Sequence, residues 1–274
     1  MRLSMSITKG KGNQKHNTRT QTTKPKNVDF SRTKDNLVLA DENIRDVYHQ
    51  LFDSALEKYN AKQKRNDRKI KDYYSKIANS KQEKLFHELV VQIGNIDKQT
   101  DHETTDEIYR EFVEEFQRNN PQMKVIGAYV HNDEATPHLH LDYVPYSKNN
   151  KRGLETKVSN DRAIKQMGYH SWLEWKDRQF EILERIAMSY DIEREGMNNT
   201  ERHRTVEGYK QEQRAIEDKL NNLSKELETS SREPKKSLLG KETIDYSIYR
   251  VLEQENTLQK AQISNLSAVS RKQE

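Results

Sequence analysis

The stretch His131-Asn132-Asp133-Glu134-Ala135-Thr136-Pro137-His138-Leu139-His140-Leu141 decides how this chain is read. Side chains two apart on a strand share a face, so His138 and His140 project together while Leu139 and Leu141 turn into a core behind them. Lys124 to His131 forms a second apolar run, and the short polar connection Asn132 to Pro137 suits an antiparallel hairpin between the two. Pairing through that turn brings His131 alongside His138 and His140, so three imidazoles converge. Pro137 costs no ladder bond where its missing N–H faces the turn. Three neutral imidazoles with open positions have the form of a catalytic divalent-metal site, whereas a structural site closes its shell with four protein ligands. Asp133 and Glu134 supply groups to orient ligands or move protons. A His-x-His pair alone reads equally as two hydrogen-bonded surface histidines; a third histidine upstream with two carboxylates between favours the metal.

Outward from the hairpin, Arg2 to Ile7 alternates as a short strand, followed by a polar, basic segment through Lys34 that reads either as a loop with embedded chemistry or as disordered chain. Ile44, Val47, Tyr48, Leu51, Phe52 and Leu56 recur at helical spacing behind a candidate N-cap, Asp41, and a second helix carries Ile70, Tyr73, Tyr74 and Ile77. Leu85 to Ile93 is a strand, and Thr104 to Arg118 a helix with Ile108, Tyr109, Phe112, Val113 and Phe116 on one face. Helices near Asn160 to Met167 and Ser171 to Ser189 are expected to cover the sheet. From Val206 the chain reads as charged helix, with Ile216, Leu220, Leu223 and Leu227 spaced 4, 3 and 4, fewer repeats than a coiled coil needs. Pro234 interrupts it, and a last helix is expected from about Thr243 to Leu266. The expected division is a folded domain over residues 1–200 and a helical extension over 201–274.

Composition narrows the function. In 274 residues, 34% are charged and only 32% hydrophobic, against roughly 25% charged in an ordinary domain, so one core spanning the whole length is not expected. The absence of cysteine excludes disulfides, thiolate metal sites and cysteine nucleophiles. No window approaches the roughly 20 apolar residues of a membrane span, and Met1 to Lys11 lacks a signal-peptide core, so a cytoplasmic location is expected. The net charge of +4 hides an uneven distribution: nine Lys/Arg lie between Met1 and Asn36 against only Asp29 and Asp35, and Lys58 to Lys84 is a second basic run. Such segments attract polyanions, although a charge run alone reads as a solvated arm or helix face.

Within the first basic segment lies Lys15-His16-Asn17-Thr18-Arg19. Alone it is a polar loop. Beside a trihistidine metal that polarises a phosphodiester, His16 offers a nucleophile and Arg19 a guanidinium for the phosphate oxygens.

His131 to His140 resembles the HUH metal motif of the Mob/Pre plasmid mobilisation relaxases, whose hairpin reads His-x-Asp-Glu-x-x-Pro-His-x-His. His16-Asn17-x-Arg19 is similar to that family's N-terminal motif, and Asn27-Val28-Asp29-Phe30-Ser31-Arg32-Thr33-Lys34-Asp35-Asn36 to the segment that follows it. Glu193-Arg194-Glu195-Gly196, His203-x-Thr205-Val206 and Pro234-Lys235-Lys236-x-Leu238-Leu239-Gly240-Lys241-Glu242 extend the likeness into the tail.

The resemblance implies an α+β fold of HUH endonuclease type, an antiparallel sheet with flanking helices plus a helical C-terminal extension. It further implies a relaxase that cleaves one DNA strand at a transfer origin, stays joined to the 5′ end and later rejoins it. His131, His138 and His140 would hold Mn²⁺ or Mg²⁺. His16 would be the nucleophile, Glu134 the proton acceptor or orienter and Arg19 the phosphate clamp, with Lys15, Asn17, Arg32 and Lys34 on the DNA-binding surface. DNA is the expected partner, with a conjugative coupling protein and a homodimer formed through the C-terminal helices. Tyr48, Tyr59, Tyr73 and Tyr74 stand as alternative nucleophiles, and Leu37 replaces a tyrosine that some members carry there. His49, His87, His102, His170 and His203 read as ordinary helix or surface residues. Competing readings are a non-catalytic DNA-binding accessory protein, a replication initiator or transposase with a tyrosine nucleophile, and a metal-dependent hydrolase of small phosphates.

Overall fold

The computed structural model describes residues 1–22, 25 and 27–195, and beyond them 214–215, 218–219, 221–222, 235–236 and 242–243. The heptad-like leucines and most of the last expected helix lie outside the described residues, as do His203 and most of the tail motifs. One compact unit begins at Met1 and runs to Ile186, and a second takes in Ala187–Glu193.

The elements from Met1 onward, in chain order, are β1 (Arg2–Leu3), β2 (Met5–Lys9), α1 (Gln14–Asn17), β3 (Leu37–Asp41), α2 (Ile44–Ala61), α3 (Tyr73–Ala78), β4 (His87–Ile93), α4 (His102–Asn119), β5 (Met123–His131), β6 (His138–Ser147), β7 (Lys157–Val158), α5 (Asn160–Gln166) and α6 (Trp172–Ser189), whose residues through Ile186 belong to the first unit. Strands β2-β4-β6-β5-β3 form one antiparallel sheet in that order, with β7 beside β6. The fold is α+β, as expected, and the hairpin pairs β5 with β6 in the register His131↔His138 and Tyr129↔His140. β4 lies on the other side of β6, with Val90 opposite His140 and Glu88 opposite Asp142.

Alternation divides the sheet's two faces. Leu89, Val91, Leu139, Leu141 and Tyr143 are buried and share the parity that turns away from the histidines. Phe116 of α4 and Trp175 of α6 cover this side: the ring centroids of Phe116, Trp175 and Tyr143 lie 5.7–6.0 Å apart. Each such ring contributes about 1.5–3 kcal/mol by burial, and the Trp175 indole N–H donates to Asn120 Oδ1 at 2.6 Å, so its polar end is satisfied too. A second apolar cluster joins Val47, Tyr48 and Phe52 of α2 and Tyr73 and Ile77 of α3 to Ile126, Val144 and Val158.

The sequence reading departs from the structure in the amino-terminal third. The polar segment through Lys34 is not all loop: it contains the single turn α1, capped by Asn13, whose side chain accepts the His16 N–H. β3, Leu37–Asp41, falls where the sequence reading assigns no element. It is an edge strand whose register breaks between Val38 and Ala40, so its alternation is interrupted where a pattern search would look for it. The N-cap of α2 is Asn43, not Asp41; Asn43 accepts the Arg45 N–H at 2.9 Å, while Asp41 ends β3 and accepts from the Tyr129 hydroxyl.

Candidate metal and nucleophile centre

His131, His138 and His140 meet on the polar side of the sheet, with ring centroids 4.5 Å (131–140), 4.9 Å (138–140) and 5.3 Å (131–138) apart. Each ring has one nitrogen against an oxygen acceptor, which assigns the proton to that nitrogen and leaves a lone pair on the other. His131 Nε2–H donates to the Asn17 carbonyl at 2.9 Å, His138 Nδ1–H to the Thr136 carbonyl at 2.9 Å, and His140 Nδ1–H to Glu88 Oε1 at 2.8 Å. His131 Nδ1 and His140 Nε2 are consequently buried with no protein donor to meet them. Burial depresses the basicity of His131 to about 2 and that of His138 in the same direction, so both rings are neutral near pH 7.

The amino-terminal arm delivers the fourth imidazole. The His16 ring lies 5.2 Å from that of His131 and 5.4 Å from that of His140. Burial, followed by the positive charge of Arg19, lowers its pKa, so its lone pair is available near neutrality. Glu134 Oε1 stands among these rings, 3.5 Å from His16 Nε2, 3.8 Å from His131 Nδ1 and 4.0 Å from His138 Nε2. Donor atoms within 4.8 Å of one another form two triads sharing His131: His16 with His131 and His140, and His131 with Glu134 and His138. Orphaned imidazole lone pairs beside a carboxylate fit a divalent cation by donor chemistry as well as by spacing.

The other residues singled out in the sequence divide. Arg19 lies two residues past α1 at φ 55°, a left-handed conformation that costs a non-glycine residue roughly 1–2 kcal/mol. It is held there by Asp133, bound through Nε and Nη2, and by Glu134 Oε1 at 2.9 Å, while Nη1 faces the His16 ring and carbonyl. Asn17, expected on a DNA-facing surface, is instead buried at 3% exposure, its amide donating to Glu88 and Asp142. Arg32 donates to the carbonyls of Asn132 and Glu134 and so clasps the hairpin turn. Lys15 and Lys34 are exposed.

The loop before β3 shapes the turn from the other side. Asn36 Oδ1 accepts the N–H groups of Asn132 and Asp133, and Asn27 donates to Glu134 Oε2 at 2.6 Å. The tyrosine alternatives lie elsewhere. Tyr48 and Tyr73 are buried in the α2–α3 cluster, with hydroxyls engaged by the Leu85 carbonyl and the Val158 N–H, and Tyr59 and Tyr74 pack against it.

Glu88 escaped the sequence reading. Its signal was a carboxylate inside the apolar run Leu85 to Ile93, on the parity that faces the histidines. Burial works to raise its pKa, but hydrogen bonds from His140, the Gly12 N–H and Asn17 outweigh that and hold it at about 2. Burial and the negative charge of Glu88 push neighbouring Asp142 up to about 7.

A family model described as plasmid recombination enzyme matches residues 13–211. No curated protein matches the chain. Among solved structures, the MobM relaxase domain bound to 22-nucleotide plasmid pMV158 oriT DNA, Mn-bound at pH 5.5, is 23% identical with a TM-score of 0.46, covering 76% of this chain and 99% of that one. The same domain in its pH 4.6 crystal is 24% identical with a TM-score of 0.44 and the same coverage. With 23-nucleotide DNA it is 22% identical with a TM-score of 0.41, covering 76% and 97%.

Proposed function

The chain belongs to the plasmid recombination enzyme family, and on that premise we propose that it nicks and rejoins one DNA strand at a mobile element's transfer origin, using His16 as nucleophile. The observation that carries the reading is the His16 ring set 5.2 and 5.4 Å from two buried imidazoles, each of which keeps one nitrogen with no hydrogen-bond partner in the protein.

One ring nitrogen of His16 attacks phosphorus in line. A P–N bond forms, the P–O3′ bond breaks, the departing 3′ oxygen takes a proton from solvent, and the 5′ phosphate remains on the protein as a phosphoramidate. Glu134, 3.5 Å from His16 Nε2, accepts the proton of the nitrogen that does not attack. Arg19 stands beside the ring as a fixed positive charge for the phosphate oxygens. A divalent cation, Mn²⁺ or Mg²⁺, would be held by His131, His138 and His140, where it would polarise the phosphate as a Lewis acid. Rejoining is the same step reversed by a 3′ hydroxyl. Exposed Lys15 and Lys34 contact the DNA backbone, and Arg32 does so from the turn it clasps.

The same reading includes cytoplasmic action, a conjugative coupling protein as partner, and a division of labour between a relaxase domain over residues 1–200 and pairing of two copies through residues 201–274. Among the described residues no helix is long and apolar enough to cross a membrane.

The test is nicking of supercoiled plasmid carrying the cognate origin, with Mn²⁺ and with EDTA, and trapping of the protein–DNA adduct. We expect Mn²⁺-dependent nicking and an acid-labile adduct absent from His16→Ala, which still binds DNA. Equal nicking in EDTA rejects the metal, and an adduct that survives in His16→Ala rejects the nucleophile.

A further inference from the structure

Glu88 bonds one imidazole of the centre, that of His140, and the arm on either side of His16, at Gly12 and Asn17. Its side chain is buried, with 5% of the residue exposed. Oε1 accepts from His140 Nδ1 at 2.8 Å and from Asn17 Nδ2 at 2.8 Å, and Oε2 accepts the Gly12 N–H at 2.8 Å. Asn17 follows His16 directly, and its own carbonyl takes the His131 Nε2 proton. One carboxylate on β4 therefore ties a ligand strand, β6, to the arm that carries the nucleophile.

Its seat depends on a glycine. The Gly10 N–H donates to the Glu88 carbonyl at 3.0 Å, and a Cβ on Gly10 would stand 1.8 Å from Glu88 Oε2 and 2.3 Å from its Cδ. Any side chain at position 10 displaces the carboxylate. The atoms in the way belong to the end of a flexible side chain, so the carboxylate can swing aside while the strands stay paired.

We propose that Glu88 is a positioning residue with two tasks: it fixes the His140 proton on Nδ1, turning the Nε2 lone pair into the centre, and it docks the His16 arm through Asn17 and Gly12. Gly10 is the vacancy that lets it do so. Carboxylates that orient ligand imidazoles are worth about 10–100-fold in metal affinity. The inference rests on the metal reading given above.

The full chain is tested as wild type, Glu88→Gln and Gly10→Ala, with three readouts: Mn²⁺ affinity by calorimetry, adduct formation at saturating Mn²⁺, and the His140 tautomer from ring ¹⁵N shifts in EDTA. We expect both variants to bind Mn²⁺ at least about 10-fold more weakly and to form adduct more slowly even when saturated. We also expect the Nδ1–H tautomer to lose its predominance, with melting in EDTA close to wild type. A purely structural Glu88 would lower melting and leave the tautomer of the folded fraction unchanged, which overturns the proposal. Wild-type Mn²⁺ affinity in both variants overturns it too, while leaving the metal reading intact. If the wild type itself binds no Mn²⁺, the metal reading fails first and takes this inference with it. Should Gly10→Ala fail to fold, the near-isosteric Glu88→Gln decides alone, and failure of both to fold counts against the proposal.

Discussion

Arg19 and Asp133 grip one another across 114 positions of sequence: Nε donates to Oδ2 at 2.9 Å and Nη2 to Oδ1 in a shorter parallel bond. Neither side chain is in solvent, at 6% and 0% exposure. Two parallel bonds fix the guanidinium plane as well as its position. The hairpin turn thereby holds the arm, and through the strained backbone of Arg19 it sets where the His16 ring lies. Burial works to raise the Asp133 carboxyl, but the bonds and positive charge of Arg19 and the bond from Thr33 prevail and hold it at about 2.

Breaking this pair from the acid side leaves the buried cation with Glu134 as its one remaining carboxylate, and removing one partner of a buried pair costs up to about 3–5 kcal/mol. Asp133→Ala should lose stability on that scale in urea unfolding and lose adduct formation as well. A loss below about 1 kcal/mol, the range of exposed pairs, would show that Arg19 finds solvent and that the arm does not depend on the turn.

The orphaned imidazole nitrogens predict how cation and fold are linked. A ligand bound only by the folded state stabilises it by about 2.7 kcal/mol at a hundred times its dissociation constant. Mn²⁺ should raise the melting temperature of the wild type, and EDTA should reverse the rise. His131→Ala and His140→Ala, which remove the two buried lone pairs, should abolish the shift. An undiminished shift in both variants would place the cation elsewhere.

How much of this was legible beforehand follows from the range of the interactions. The hairpin was readable because two local rules, alternation and a turn, place His131 against His138, and the structure has that register. α4 was readable from its apolar stripe, to within two residues at its start and one at its end. The arm was opaque because α1 is a single turn held by contacts 71 to 125 positions away, Asn17 to Glu88 and Asp142 among them, and no local pattern encodes partners that distant. For the same reason Asn17 read as a surface polar residue. Its burial depends on acceptors contributed by β4 and β6.

Exposed and engaged basic residues should separate in salt titrations. Each phosphate contact contributes close to one unit of the slope of log affinity against log salt. Lys34 is exposed, so Lys34→Ala should reduce the slope by about one with unchanged melting. Arg32 also bonds the carbonyls of Asn132 and Glu134, so Arg32→Ala should in addition cost about 1–2 kcal/mol of stability. If Lys34→Ala leaves the slope untouched, that face of the loop does not meet DNA.

His87 offers a pH signature on the face of the sheet opposite the histidine centre. Its ring stacks on Tyr143 with centroids 6.0 Å apart and planes 24° from parallel. Burial lowers its pKa to about 4, helped by the positive charges of Lys84 and Lys9 and opposed by Asp161. A folded-state pKa below the unfolded value near 6.5 means that, between those limits, the unfolded chain binds the extra proton. Its contribution to stability is therefore complete above about pH 6.5 and is lost as the pH falls toward about 4, at a limiting rate of about 1.4 kcal/mol per pH unit. Urea midpoints measured from pH 7 to pH 4.5 should fall more steeply for the wild type than for His87→Phe, which keeps a ring against Tyr143 and removes the titration. Parallel curves would mean that His87 takes up its proton in the folded protein as readily as in the unfolded one, and that the stack does not exclude the charge.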